Sequence, residues 1–203
     1  MTLPSLLLLY IVHEHIVRDA KQPAQETFLP VGVQFPDRPE PDFLEHLFGS
    51  TESQIRRHGV SAEFLDHKVF VNTFCLEALR QVDQDIRQAA AVDTGVAEWM
   101  EELDIVYSFI DKEISGSGSR SHHAWGLAID LVPTSYEGKQ VYWRWSRVFN
   151  RQSWHRIPLA QRWSPPRAVI EAFERHGFVW GGKWAHFDTI HFEYRPEILA
   201  FNR

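Results

Sequence analysis

The chain has 203 residues, of which 44% are hydrophobic and 24% are charged, and its formal net charge is −6. This composition is typical of a globular protein, and the chain is long enough to bury a hydrophobic core without support from disulfides or structural metals. The acidic balance argues against general nucleic-acid binding, which needs a basic surface. A single cysteine, Cys75, excludes an internal disulfide, and we expect it to be a buried apolar residue.

The N-terminal third of the sequence contains few strong signals of secondary structure or function. Leu6–Val12 is an apolar run that is too short to span a membrane, and it lacks the basic residues and the cleavage site of a signal peptide. We expect packed structure there rather than an export signal, and we predict no integral membrane segment. Prolines between residues 23 and 41 indicate a loop. Short helices are predicted over residues 42–48 and 53–58.

We divide the chain into an N-terminal extension, residues 1–66, which is wrapped on a core domain, residues 67–203. In the core domain, Val69–Val71 is predicted as a short strand, and Asn72 is placed to cap a helix over residues 74–90. That helix is amphipathic, because apolar residues recur at a spacing of three or four; its stripe consists of Leu76, Leu79, Val82 and Ile86.

The remaining regular elements are predicted around the centre and end of the chain. Residues 99–103 are interpreted as a connection that leads into a strand at Ile105–Lys112. Pro166 is placed to open a second amphipathic helix, which the pair His176-Gly177 ends.

A histidine and a carboxylate stand seven positions apart in the stretch 119–130. Seven residues of strand span roughly 23 Å and seven of helix roughly 10 Å, so His123 and Asp130 meet only if the chain bends between them. Gly126 is placed to allow that bend. We expect a strand over residues 127–132 that presents Asp130, with His123 in a loop folded back over it.

A second stretch, residues 187–193, offers another histidine and two carboxylates. In a strand here, His191 and Glu193 share one face, and the apolar residues 190, 192 and 194 share the other. Asp188 is at an odd offset from His191, so we expect it on a turn at the entrance of the strand.

Two imidazoles and one carboxylate are a usual protein ligand set for a catalytic zinc, which keeps a fourth position for water. We therefore interpret His123, Asp130 and His191 as metal ligands. The remaining carboxylates compete for the role of general base. We favour Asp188 as the base and Glu193 as a residue that orients a ligand.

The first stretch reads Ser121-x-His123-x-x-Gly126-x-Ala128-x-Asp130, and it resembles the signature of zinc D-alanyl-D-alanine carboxypeptidases and dipeptidases. Relatives of this family include L-alanyl-D-glutamate endopeptidases and the zinc fold of the hedgehog signalling domain. Residues 177–184 and the run Asp188-x-x-His191-Phe-Glu193 are similar to the closing motif of the endopeptidase branch. The resemblance begins near Lys68.

The resemblance implies that Zn²⁺ is bound by His123, Asp130 and His191, and that Asp188 is the catalytic base. We expect an α+β fold of the hedgehog/DD-peptidase kind, in which an antiparallel sheet carries the zinc site and helices pack on one face. The implied activity is hydrolysis of peptide bonds next to D-amino acids in peptidoglycan stem peptides. Such a substrate leads us to expect a periplasmic or extracellular enzyme, but the sequence shows no convincing signal peptide, so the localisation stays open.

The alternative is a zinc-containing module that binds cell wall or another ligand without turnover, as the hedgehog relatives suggest. Asp188 argues against this alternative, because a protein that only binds needs no base at that position. Nucleic acid is not an expected partner of either kind of protein.

Substrate binding is where this sequence departs from the family. Family members usually hold an arginine ahead of the Ser-x-His motif, and here Lys112 or Arg120 is the candidate to hold a substrate carboxylate. Ser121 and Trp184 complete the predicted substrate-binding residues. The aromatic and arginine side chains of residues 133–166 are interpreted partly as core and partly as a cleft wall.

Overall fold

The computed structural model describes residues 43–111 and 120–196. Over these ranges the chain is an α+β protein with antiparallel sheets and helices, which confirms the predicted class. The finer hedgehog/DD-peptidase-like arrangement, with helices on one face, stays a prediction. The features predicted at residues 6–12 and at Lys112 lie outside the described residues. Within the described ranges, no helix is long and apolar enough to cross a membrane.

The helices and strands follow one another in the order α1 (Phe43–Phe48), α2 (Glu52–Arg56), β1 (Gly59–Phe64), β2 (His67–Asn72), α3 (Thr73–Ala90), α4 (Thr94–Glu101), β3 (Leu103–Tyr107), β4 (Ala128–Pro133), α5 (Trp143–Phe149), α6 (Arg167–Arg175), β5 (Phe178–Trp180) and β6 (His191–Tyr194). Short 3₁₀ turns lie at His122–Trp125, Trp154–Arg156, Leu159–Gln161 and Gly181–Lys183.

Strands β1 and β2 form a hairpin, of which only β2 was predicted from the sequence. The two residues of its turn, Leu65 and Asp66, both have positive φ angles, as a type I′ turn requires. A Leu-Asp pair is not the usual Asn-Gly signal of such a turn, and this explains why the hairpin was missed. The Leu65 N–H donates to Asp83 on α3 at 2.7 Å, which ties the turn to the helix. The predicted domain boundary falls in this turn, and the division itself stays a prediction.

Helix α3 matches its prediction closely. The Asn72 side chain accepts a hydrogen bond from the Phe74 N–H at 3.0 Å and so caps the helix. Its buried stripe is Cys75, Leu79, Val82 and Ile86, while Leu76 is only partly buried. Burial raises the pKa of the Cys75 thiol to about 12, so this residue is an unreactive part of the core, as expected.

Four elements differ from the sequence-based prediction or were absent from it. Residues 99–103 were interpreted as a connection, but most of them lie in α4, which Asp93 caps by accepting from the Gly95 N–H. Strand β3 is shorter than predicted and ends at Tyr107. Helix α5 and strand β5 had no distinct signal, whereas α6 begins after Pro166 and ends before Gly177 as predicted.

The larger sheet has the strand order β3-β4-β6-β5, and every neighbouring pair is antiparallel. Asp130 in β4 lies opposite Tyr107 in β3 on one side and opposite His191 in β6 on the other. Residues directly opposite each other in a sheet project from the same face. The register therefore places Tyr107, Asp130 and His191 in one row across three strands.

The predicted bend lies at Gly126, whose φ angle is +66°. Its carbonyl accepts a hydrogen bond from the Asn72 N–H at 2.9 Å, so the bend packs directly on the junction between β2 and α3. A Cβ atom at Gly126 would lie 2.8 Å from the Asn72 nitrogen, which belongs to the backbone and has little room to yield. Both the backbone conformation and the available space thus require glycine here.

We expect the substitution Gly126→Ala to lower the free energy of unfolding by about 2–4 kcal/mol, because the left-handed conformation and the backbone overlap both oppose a side chain. Gly138→Ala is the matched control: Gly138 has a φ angle of +73°, but no atom lies near its would-be Cβ. We expect a loss of about 1 kcal/mol there. Urea unfolding of both variants measures the difference, and equal losses would show that the contact with Asn72 does not matter.

Candidate metal centre

Three side chains from separate parts of the larger sheet region converge at one buried point. His123 Nε2 lies 2.9 Å from Asp130 Oδ1, His191 Nδ1 lies 2.8 Å from the same oxygen, and the two nitrogens are 3.1 Å apart. All three residues are buried. Among the described residues, this is the group of histidine, cysteine and carboxylate side chains whose ligand atoms lie within 4.8 Å of one another. We call it the His-Asp-His cluster.

Each member of the cluster is placed by a local feature of the chain. His123 lies in the 3₁₀ turn His122–Trp125, which Ser121 caps and which Gly126 ends in the left-handed conformation. The sequence predicted a loop at this position, and a single tight turn fulfils that role. Asp130 lies in the middle of β4, and His191 is the first residue of β6.

The two imidazoles face the cluster with different nitrogens. His123 Nδ1 lies 2.6 Å from the Ser108 carbonyl oxygen, which can only accept, so Nδ1 carries the hydrogen and Nε2 is left with a lone pair toward the cluster. His191 Nε2 lies 3.2 Å from Glu193 Oε2, so its N–H points there and Nδ1 is turned toward the cluster. Fixing the ring through its other nitrogen is what metal-binding histidines require.

The electrostatics of the cluster favour a bound cation. Burial disfavours the ionised form of Asp130, yet the charges and hydrogen bonds of His123 and His191 hold its pKa well below the usual range. Burial likewise opposes a charge on His191, but hydrogen bonds with Asp130 and Glu193 outweigh it and raise the pKa of His191 to about 10. A metal ion binding here would displace the proton that His191 otherwise holds.

The cluster fits zinc by its donor set and spacing. Ligand atoms about 2.0–2.2 Å from a tetrahedral zinc lie about 3.3–3.6 Å from one another, slightly farther apart than the cluster atoms. Two nitrogens and one carboxylate oxygen make three protein ligands, which leaves a fourth position for water or substrate. Small side-chain movements suffice to open the cluster around an ion.

Asp188 lies outside the cluster but beside it, on a turn before β6. Its N–H donates to the Gly181 carbonyl at 3.0 Å, and its own carbonyl accepts from the His191 N–H at 3.3 Å. Burial, followed by the charges of Asp188 and Asp130, raises the pKa of Tyr136. The position of Asp188 agrees with the predicted turn at the entrance of the strand.

Glu193 is almost fully buried, and its carboxylate is bound on several sides. Oε2 lies 3.2 Å from His191 Nε2, and Oε1 accepts a hydrogen bond from Arg195 at 2.8 Å. Because Nε2 is the nitrogen turned away from the cluster, Glu193 contacts the side of the His191 ring that faces away from the cluster. The geometry favours the orienting role for Glu193 over the role of rival base.

The predicted substrate-binding residues occupy different positions relative to the cluster. The Trp184 ring centre lies 5.3 Å from that of His191, beside the site. The Ser121 hydroxyl is buried and accepts from the His123 N–H at 3.4 Å, so it supports the 3₁₀ turn. Arg120 Nη1 lies 3.7 Å from Asp111, an exposed partner. Substrate contacts of these residues stay predictions.

Sequence reasoning missed several residues around the cluster. The Ser108 carbonyl, which fixes His123, is a backbone group and leaves no residue-type signal. Tyr107 shares a row with Asp130 only because of the strand register. Tyr136 was outside every motif. Arg195 continues the alternation of His191 and Glu193, and that period of two was the signal that could have revealed it.

The aromatic stretch predicted as part core and part cleft wall contributes to the core, and its cleft-wall part stays a prediction. Trp163 is buried in the core. Trp143 and Trp154 instead pack around His186, with ring centres 4.3 and 5.2 Å from it. The Trp143 N–H also donates to the Phe187 carbonyl at 2.9 Å, which holds this aromatic group next to Asp188.

Residues 115–194 match the family model described as D-alanyl-D-alanine carboxypeptidase. The matched range contains both motif stretches, the His-Asp-His cluster and Asp188, so it confirms the family resemblance for this part of the chain. It supports a carboxypeptidase-like metallopeptidase in general. A search of the solved structures finds no match for the chain.

We expect His123→Ala to lower zinc affinity by more than about 100-fold, because losing a ligand costs more than losing a residue that orients one. Metal analysis of the purified protein after dialysis measures the effect. His155→Ala, a change at an exposed histidine, is the control and should keep the parental zinc content. Full zinc retention by His123→Ala would eliminate this ligand set.

Proposed function

We propose that this protein is a zinc metallopeptidase that hydrolyses peptide bonds next to D-amino acids in peptidoglycan stem peptides. The observation that carries the proposal is the His-Asp-His cluster with a further carboxylate, Asp188, on the adjoining turn. The match of residues 115–194 to a D-alanyl-D-alanine carboxypeptidase family supports this substrate class. Both removal of a terminal D-alanine and cleavage after L-alanine are compatible with these residues.

His123, Asp130 and His191 would hold the zinc ion, and the tautomers set by Ser108 and Glu193 present one lone pair from each imidazole. Zinc in such a site supplies Lewis-acid polarisation of the scissile carbonyl and makes water acidic enough to act as a nucleophile near neutral pH. Asp188 is the residue of this chain that takes the proton from the attacking water. The same carboxyl group then returns the proton to the leaving amine.

The positions of neighbouring residues suit this division of roles. Asp188 is partly exposed and lies on a turn, so a substrate and a water molecule can reach it. Glu193, in contrast, is buried behind His191 and cannot exchange protons with a substrate directly. Tyr107 is 44% exposed and lies opposite Asp130 in the sheet, and the Trp184 ring packs against His191, so we propose that both side chains contact a substrate bound at the cluster.

We expect Asp188→Asn to lower the rate of hydrolysis by about 10²–10⁴-fold and to leave zinc binding unchanged, because the amide cannot accept the proton. Turnover and zinc content are measured on the same preparation. Asp104→Asn, the same chemical change at an exposed position of β3, should leave both values at the parental level. An unaltered rate in Asp188→Asn would assign the base to another residue.

The substrate class is tested by mass spectrometry of muropeptides incubated with the protein, with and without a chelator. Chelator-sensitive loss of a terminal D-alanine identifies a carboxypeptidase, and a chelator-sensitive cut after L-alanine identifies an endopeptidase. If the protein carries zinc and cuts neither bond, the proposed substrate is wrong, and a zinc-containing binding module is the better description.

A further inference from the structure

A group of ionisable side chains is buried next to His191, on the side away from the His-Asp-His cluster. The Glu193 carboxylate is its centre. Oε1 accepts a hydrogen bond from Arg195 Nη1 at 2.8 Å, and Oε2 lies 3.2 Å from His191 Nε2 and 3.3 Å from His122 Nδ1. Arg195 is 2% exposed, Glu193 3% and His122 5%.

The chain places these groups by simple alternation along one strand. Positions 191, 193 and 195 project to the same side of β6 and its continuation, because side chains alternate with a period of two. His122 lies in the 3₁₀ turn that also contains His123. Glu193 therefore contacts a side chain from each of the two segments that supply the imidazoles.

The neighbours of Glu193 in the sheet keep water away from it. Glu193 lies opposite Ala128 in β4 and opposite Val179 in β5. Ala128 is small, which leaves room for the carboxylate, and both neighbours are apolar and buried. A buried carboxylate is stable only when charged or hydrogen-bonding groups surround it, and Arg195 is the permanent cation among its contacts.

The two carboxylate oxygens of Glu193 have different partners. Arg195 holds Oε1, and this keeps Oε2 turned toward the His191 ring. Oε2 in turn receives the Nε2–H of His191, which directs Nδ1 at Asp130 and His123. Without Arg195, the carboxylate would lose the contact that fixes its orientation, and the ligand ring would lose its support.

We propose that Arg195 is a positioning residue of the metal centre: it fixes the Glu193 carboxylate, which in turn fixes the orientation of the His191 ring. His122 confines the same carboxylate from the segment that carries His123. This inference rests on the zinc centre of the proposed function and is independent of which peptide bond is cut. A purely structural role for Arg195 makes a different prediction, namely lower stability with parental metal affinity.

The test compares Arg195→Met and Arg195→Lys with the parental protein. Zinc affinity is measured by competition with a chromophoric chelator, and the visible spectrum of the Co²⁺-loaded protein reports the ligand geometry. We expect Arg195→Met to weaken zinc binding about 10–100-fold and to alter the Co²⁺ spectrum. Arg195→Lys keeps the charge and should recover part of the affinity.

Arg175→Met is the matched control, because it removes an arginine that contacts a carboxylate, Asp85, at 2.6 Å but lies on α6, outside this group of contacts. It should bind zinc with parental affinity. A folded Arg195→Met protein with parental affinity and spectrum would overturn the proposal.

If Arg195→Met does not fold, the zinc affinity of a second variant, Glu193→Gln, tests the proposal. Glutamine keeps the size of the side chain but replaces one oxygen with an N–H₂ group, which cannot accept from Arg195 or His191. We expect the same weakening of zinc binding, and parental affinity would overturn the proposal. Absence of zinc binding in the parental protein would instead reject the proposed function.

Discussion

The structure depends on bringing three ligand atoms to one buried point from parts of the chain that are distant in sequence. Two geometric constraints achieve this. The antiparallel register of β4 and β6 sets Asp130 directly opposite His191, and the turn ended by Gly126 folds His123 back over Asp130. Neither constraint is adjustable in small steps, because a shift of the register by one residue would turn His191 to the other face of the sheet. The cluster is therefore a property of the strand pairing as much as of the residues.

The surroundings of the cluster determine which atoms face it. The carbonyl of Ser108, which directly follows β3, holds Nδ1 of His123, and Glu193 holds Nε2 of His191. The two imidazoles thus turn different nitrogens toward the cluster. This difference follows from their positions: His123 lies in a short 3₁₀ turn, whereas His191 begins β6 and contacts Glu193 two positions along the same strand. The different roles proposed for Asp188 and Glu193 rest on the same kind of difference, since Asp188 lies on a partly exposed turn and Glu193 is buried beside His191.

The sequence predicted the parts of this arrangement that are local. Spacing and residue type were sufficient to group His123, Asp130 and His191, to place the bend at Gly126 and to find α3 by its apolar period. Contacts between distant segments were not predictable in the same way. The partner of His123 is a backbone carbonyl, the row containing Tyr107 exists only through the register, and the hairpin turn at Leu65 and Asp66 uses residues that seldom adopt positive φ angles. Arg195 was also missed, although its alternation with His191 and Glu193 was visible in the sequence.

The central claim is that one metal ion binds at the meeting point of His123, Asp130 and His191. A crystal structure of the zinc-loaded protein, with anomalous scattering recorded at the zinc edge, tests it directly. The expected result is a single strong zinc peak coordinated by His123 Nε2, an Asp130 oxygen and His191 Nδ1, each at about 2.0–2.2 Å, with a non-protein ligand in the fourth position. A zinc ion bound elsewhere, or bound through the other nitrogen of either histidine, would contradict the account.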